Sequence, residues 1–326
     1  MEEFEVFTIA GTGAVGKKDG PGNEAGFNHP NGITIRDDGT IIVSDMYNNK
    51  IRGIGSDDNV FTIAGTENET TLNSPCEIAL RNDGTIIVAD TGNHKIKGID
   101  LEGNVYTIAG TGLIGDKDGP GNEATFFYPN GTAVRDDGTM ILADLLSNKI
   151  RGIDLDGNIY TIAGTGLVGD KDGSGNEATF YASCGIAIGN NGTIIVSDRS
   201  NHKIRCIDPD GNVYTIAGNG VIGDKDGPGN EASFNYPRGI AVRNDGTIIV
   251  SDTGNHKIRG IDLDGNVYTI AGTGESGDKD GTGNEATFNS SQGIVISPDG
   301  TIIVTDTHNH KIRGIRTKKL VKSAIE

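Results

Sequence analysis

The stretch Thr85–Asp100 reads TIIVADTGNHKIKGID, and near-copies of it occur five more times. They are TIIVSDMYNNKIRGIG from Thr40, TMILADLLSNKIRGID from Thr139, TIIVSDRSNHKIRCID from Thr193, TIIVSDTGNHKIRGID from Thr247 and TIIVTDTHNHKIRGIR from Thr301. The aspartates that close the apolar run are Asp45, Asp90, Asp144, Asp198, Asp252 and Asp306. They are 45 residues apart at the first step and 54 at the other four. The short step comes from TENETTLNSP, nine residues shorter than its counterpart TGLIGDKDGPGNEATFFYP. A period of this size, filled with β-branched residues, is that of a propeller blade rather than of a helical repeat.

Working outward, each unit holds four short β-rich runs. In the fifth they are GIAVR, TIIVSD, KIRGID and NVYTIAG, joined by NDG and LDG. Asn, Asp and Gly tolerate positive φ, so these connections read as hairpin turns and the unit as an antiparallel meander. One such sheet cannot bury both faces. Radial packing of six does so and leaves only short edges. The fold expected is therefore all-β, a six-bladed β-propeller of four-stranded antiparallel blades, with small residues such as Ala187 and Ala241 on the innermost strands. The last unit stops at KIRGI without its TIAG, while the chain starts with EVFTIAG, Glu5–Gly11. The N-terminal strand should join the last blade and close the ring. Residues 1–315 form one domain on this reading, and 316–326 a basic tail or linker, a short helix or the stub of a connection.

Composition narrows the class. The net charge is −17, and the tail after Ile315 is basic, so the repeat body is more acidic still. That body repels nucleic-acid backbones, which bind through Lys and Arg, and its simplest consequence is solubility. No run approaches the ~18 apolar residues of a membrane helix. The start MEEFEVFTIAG lacks the basic and apolar regions of a signal peptide. Cys76, Cys184 and Cys206 form neither a disulfide framework nor a Cys-x-x-Cys pair. The expectation is a monomeric protein of the cytoplasm, with no membrane and no nucleic-acid partner.

The sequence resembles the NHL-repeat family of six-bladed β-propellers over residues 4–315. The resemblance rests on DTGNHKIKGID at Asp90, DRSNHKIRCID at Asp198 and DTGNHKIRGID at Asp252, and on TIAGTG, DGPGNEATF and P-x-G-I. It implies the propeller fold. It implies less about function, because the family includes RNA- and protein-binding modules of ubiquitin ligases, sensor domains of bacterial kinases and peptidyl-amidoglycolate lyases. Calcium-dependent lactonases are looser relatives.

Internal comparison separates what the blade needs from what it does not. The six aspartates recur in every copy and read as structural, accepting from N–H groups of the loop that follows, as in an Asx turn. His94, His202, His256 and His310 read the same way, spread around the blade periphery rather than converged on a metal. His308 and His310 are the one close His-x-His pair. In the loop GDKDGPGNEA, which reads GDKDGSGNEA at Gly169–Ala178, the order Asp170, Asp172, Asn176, Glu177 invites comparison with a calcium loop, but the spacing of such loops is absent and the glycines suit a turn anchored by Phe126, Phe180, Phe234 and Phe288. No cofactor is expected, with calcium as the alternative. The varying residues concentrate on one face. Before the innermost strand stand Asn31, Cys76, Asn130, Cys184, Arg238 and Gln292, with His29, Tyr128 and Tyr236 nearby. The second-to-third-strand loops add Met46, Tyr47, Leu145, Leu146, Arg199 and His308. Glu77 replaces a glycine found in the other five copies and should enter the axial channel near its mouth.

Exposed loops on a rigid scaffold usually carry binding, and this mixture of aromatics, arginines and aliphatics is typical of interaction hot spots. The reading is a non-catalytic binding or scaffold module for a protein or peptide. One alternative is a metal-dependent lyase or lactonase-like enzyme at the axis, for which Glu77 and His29 are the available groups and Cys76 and Cys184 lack a base. The other is a consensus-like or designed propeller without a ligand, suggested by the closeness of the copies.

Overall fold

The computed structural model describes residues 3–65 and 72–318. Six antiparallel sheets follow one another around an axis. Blade 1 comprises Pro30–Ile35, Ile41–Asp45, Lys50–Ile54 and Asn59–Ala64, from innermost to outermost strand. Blades 2 to 5 repeat the plan, from the innermost strands Pro75–Leu80, Pro129–Val134, Ile186–Ile188 and Ile240–Val242. In blade 6 the strands Ile294–Ile296, Ile302–Asp306 and Lys311–Thr317 are completed by Phe4–Ala10. Phe4 pairs with Thr317, Val6 with Ile315 and Ala10 with Ile312. The first and last strands thus close the ring inside one blade, as the sequence indicated.

The second strands show why the sheets stack. All five residues of Ile41–Asp45 are buried, and so are those of each equivalent strand. A strand covered on both faces reads as a continuous apolar run rather than an alternating one. Six hydrophobic clusters result, one per seam between blades. The closing seam packs Ile303 and Ile312 of blade 6 against Phe27, Ile33, Val43 and Ile54 of blade 1. Each DG hairpin is a tight turn followed by a left-handed glycine: Gly39, at φ 85°, donates its N–H to the Arg36 carbonyl at 2.9 Å. No helix among the described residues is long and apolar enough to cross a membrane.

Four details differ from the sequence reading. Among the described residues, five of the six sheets carry a fifth, two-residue strand; Gly20–Pro21, for example, pairs with Val60 and Asn59 on the outer edge of blade 1. The long loop folds back over that edge and blunts it. The third strand of blade 6 runs past residue 315 to Thr317, and the Lys318 N–H donates to the Glu3 carbonyl at 2.7 Å. The expected tail beyond that lies outside the described residues.

Asp45, Asp198, Asp252 and Asp306 bond the loop that follows them through an asparagine side chain rather than through its backbone N–H groups. Asp45 Oδ1 accepts the N–H of Asn28, seventeen residues earlier, at 2.7 Å, and Oδ2 accepts from Asn48 and from Arg52 Nη1, both at 2.7 Å. Arg151, Arg205, Arg259 and Arg313 repeat the arrangement on Asp144, Asp198, Asp252 and Asp306. Burial pushes Asp144 and Asp252 up to about 6 in spite of these donors. The carboxylates of the DKDG loop are likewise taken by cations. Asp172 holds Arg205 at 2.6 Å, Asp170 holds Lys203 at 2.7 Å and Glu177 holds Lys171 at 3.1 Å. That donor set is built for guanidinium and ammonium groups and does not suit calcium, which wants about six to eight free oxygens.

Candidate functional site: the loop face and the axial mouth

Two contacts repeated around the ring hold the loop face rigid. The first uses the residue that ends each second-to-third-strand turn, in left-handed conformation: Asn49, His94, Asn148, His202, His256 and His310, with φ between 53° and 55°. Its side chain accepts an N–H from the next blade. His94 Nδ1 accepts from Tyr128 at 3.2 Å, His202 from Tyr236 at 3.1 Å, His256 from Ser290 at 3.0 Å and His310 from His29 at 3.2 Å. Asn49 and Asn148 do the same through Oδ1 to Ser74 and Ala182. Asn Oδ1 and His Nδ1 are interchangeable acceptors here, which explains why the copies alternate between NN, SN and NH. The histidines are therefore clasps between blades rather than peripheral groups, and burial holds all four below the ordinary imidazole range.

The second contact, made at three of the seams by Ser44, Ser197 and Thr305, joins the second strand of one blade to the innermost strand of the next. The Ser197 hydroxyl donates to the Arg238 carbonyl and that of Thr305 to the Asn31 carbonyl at 2.6 Å. Each glycine after these carbonyl-bearing residues lies against the next blade. A Cβ on Gly131 would overlap the Cys184 carbonyl oxygen, and one on Gly239 the carbonyl of Gln292. Close approach of the inner strands at the axis favours glycine at five of the six positions, and Glu77 takes the sixth.

These contacts sort the candidate residues into a rim and a mouth. On the rim, Tyr47 is 56 %, Tyr128 38 % and Tyr236 39 % exposed, with Leu146 at 42 % and His308 exposed beside them. His29 lies 4.5 Å from the Tyr47 ring, 5.3 Å from His308 and 4.7 Å from His310 between centroids. The histidines at the closing seam thus gather after all. Their Nδ1 atoms are engaged, however, His310 by the His29 N–H and His29 with the Asn28 side chain at 2.9 Å. No group of three or more His, Cys, Asp or Glu is placed to hold a metal among the described residues.

The mouth is formed by Asn31, Cys76, Asn130, Cys184, Arg238 and Gln292, all buried except Arg238, which is half-buried. Gln292 Oε1 accepts from Asn31 Nδ2 and from Arg238 Nη1, both at 2.7 Å. Behind this ring stand Met46, 3.8 Å from the Cys76 sulfur, the half-buried Leu145, and Arg199, whose guanidinium lies 4.7 Å from the Tyr236 ring centre. Below it Glu77 enters the axial space with Thr132, Gly185, Ile186, Gly239, Ile240 and Ile294. Burial pushes its carboxyl up to about 7, opposed by Arg238. The space is about 10 Å³, room for about one water. The Gln292 oxygen, one of those a calcium beside Glu77 would need, is spent on two donors. Burial pushes the Cys76 thiol up to about 11, so it stays protonated and poorly nucleophilic.

One feature of the face escaped the sequence reading. The loops between blades carry exposed aliphatic pairs: Leu113 and Ile114 at 69 % and 60 %, Leu167 and Val168 at 70 % and 61 %, Val221 and Ile222 at 65 % and 57 %. They lie on the same side as the rim, because Asn201 and Asn255 of the turns donate to the loop carbonyls of Gly169 and Gly223 at 2.7 Å. In the sequence each pair stands as an apolar dipeptide between glycines.

Comparison with known proteins agrees with the geometry. The NHL repeat model matches residues 185–207, 234–261 and 288–315. Protein SUPPRESSOR OF QUENCHING 1, chloroplastic, of Arabidopsis thaliana is 33% identical over 177 residues, 51% of this chain and 17% of that protein. NHL repeat-containing protein 2 of Bos taurus is 37% identical over 117 residues, 35% of this chain and 16% of that protein. The match thus spans about a sixth of the length of either relative. Among solved structures, a protein of unknown function from Bacteroides thetaiotaomicron superposes with a TM-score of 0.78 at 20% identity, covering 98% of this chain and 77% of that one. A streptogramin B lyase superposes with 0.61 at 14% identity, covering 97% and 98%. At such identities the structural likeness speaks to fold alone.

Proposed function

We propose that this chain, a six-bladed NHL-repeat β-propeller, is a non-catalytic binding module that presents its loop face to a protein or peptide. The observation that carries the reading is the mounting of the rim. Tyr47, Tyr128 and Tyr236 expose large rings, and the backbones of Tyr128 and Tyr236 are held at φ 58° and 50° by N–H bonds to the blade before. Rigid aromatic anchors expose contact area at little cost in conformational entropy on binding. The aliphatic pairs extend the same face outward. Room weighs against a lyase or lactonase site beside Glu77, because the space there takes about one water.

The test is direct binding. A partner captured by the purified propeller should bind the isolated wild-type protein and lose at least about tenfold in affinity, about 1.4 kcal/mol, to a Tyr47→Ser, Tyr128→Ser, Tyr236→Ser variant of unchanged melting temperature. Equal affinity for the variant would remove the rim from the interface.

A further inference from the structure

We infer that the axial mouth between blades 4 and 5 is an anion site, in which Arg199 and Arg238 together take a carboxylate group. This stands whether or not the rim binds a protein. Across the seams, the residue after the second-strand aspartate faces the residues that lead into the next blade's inner strand. Five seams pair neutral groups. Met46 touches Cys76; the hydroxyls of Thr91, Thr253 and Thr307 donate to the carbonyls of Pro129, Ser291 and Pro30; Leu145 stands before Cys184. Only the blade 4 to blade 5 seam places two cations there.

Their surroundings leave both short of partners. The five buried arginines of the blades, Arg52, Arg151, Arg205, Arg259 and Arg313, each contact two aspartates at 3.0 Å or less. Among the described residues neither Arg199 nor Arg238 has such a bridge. Arg199 Nε is buried without a hydrogen bond, and its guanidinium rests on Tyr236. Arg238 donates from Nη1 to Gln292 alone. The chain neighbour of Arg199, Asp198, is already saturated by the Tyr181 N–H, Asn201 and Arg205. Arg36, Arg81, Arg135 and Arg243 at the opposite end of the inner strands also have unpaired Nε atoms, but each has an aspartate in its own turn: Asp38, Asp83, Asp137 and Asp245. Apart from Asp198, the acid near the mouth among the described residues is Glu77. Its carboxyl, forced towards neutrality by burial, does not bond either arginine.

Half-buried guanidiniums without a counterion carry a partial desolvation cost, and two that also repel each other add to it. Burial, then Arg238, pulls Arg199 below its ordinary range. A carboxylate suits the pair because a planar fork meets each oxygen with N–H donors. The acidic body argues for a small or singly charged group rather than a nucleic-acid backbone, which needs an extended basic track. Two sources fit: a free organic acid, or the C-terminal carboxylate of a peptide.

Calorimetric titration at constant ionic strength would use succinate in one arm. The other would use triglycine with a free carboxylate against triglycine amide. The variants are Arg199→Thr and Arg238→Asn, substitutions that other blades already carry at these places, so the fold should hold. Saturable binding of succinate alone would assign free acids. Binding of triglycine but not of its amide would assign chain ends. Either must weaken about tenfold or more in each variant. No saturable binding in either arm, or binding unchanged in the Arg199→Thr, Arg238→Asn double variant, overturns the site.

Discussion

Replacing Glu77 with glutamine should make the protein more stable at alkaline pH. The carboxyl lies where the other blades have glycine, among Thr132, Gly185, Ile186, Gly239, Ile240 and Ile294, and burial pushes it from an ordinary 4.5 up to about 7. A folded value above the unfolded one means that the native state binds the proton more tightly. The stabilising contribution is then complete below the unfolded value and is lost as pH rises through about 7. A displacement of about 2.5 pH units amounts to about 3 kcal/mol over the whole range. Part of the range is acid, so from about pH 5.5 to about pH 8.5 the change is about 2 kcal/mol. Glutamine fills the same space and does not titrate. The stability of the wild type minus that of Glu77→Gln should fall by that amount across the interval.

The chain has no tryptophan, so urea unfolding followed by far-ultraviolet circular dichroism, at both pH values and for both proteins, gives the difference. A difference that does not move with pH would mean that the mouth hydrates Glu77 freely and that burial does not govern it. A difference that rises with pH would mean that Arg238 holds Glu77 as an ion pair. Arg238→Asn separates these accounts further. Burial raises the Glu77 value and Arg238 lowers it, so removing Arg238 should steepen the fall.

Three other outcomes follow from the repeated contacts. Replacing His94, His202, His256 and His310 together with asparagine keeps the acceptor that Asn49 and Asn148 already provide, at a left-handed position that asparagine tolerates. Folded histidine values below the unfolded one lose stability as pH falls through the window beneath about 6.5, so the wild type should lose ground to the variant between about pH 7.5 and 5.5. A pH-independent difference in urea midpoint would refute the clasp. Arg205→Met strands Asp198 and Asp172 and should cost about 3–5 kcal/mol in urea unfolding. Arg205→Lys should cost less, since blade 2 carries Lys97 at that place, and equal losses would show that charge is not what the site needs. Gly131→Ala, whose Cβ would overlap a backbone carbonyl of blade 4, should lower stability by about 3 kcal/mol or more; a loss under about 1 kcal/mol would show that the inner strands can part.

What the sequence could show was whatever lies within one repeat. Blade number, strand order and closure by Phe4–Ala10 depend on local pattern and on where the pattern is cut, and all were legible. The partners of Asp45 were not, because the N–H of Asn28 and the guanidinium of Arg52 meet it only once the strands are paired. The sequence did hold an unused clue in blade 2, where the long loop and the arginine are missing together and Lys97 stands instead. Joint loss of two features implies contact between them, and Arg52 does grip Asp19, 33 residues away.

The axial mouth was half legible for the same reason. Each of its residues was identified as a place where copies differ, but listing them blade by blade set Arg199 with Leu145 and Arg238 with Asn130. In the ring, the turn of one blade faces the inner strand of the next, so the comparison that matters is offset by one repeat. Read with that offset, five seams pair neutral groups and one pairs two arginines across a single boundary. Variation among duplicated blades is informative in proportion to how it combines across seams. A lone substitution is what drift produces. Two like charges brought together in a half-buried position, neither bridged to a carboxylate among the described residues, impose a cost that the fold does not need, and its relief by an external anion would give the arrangement a function.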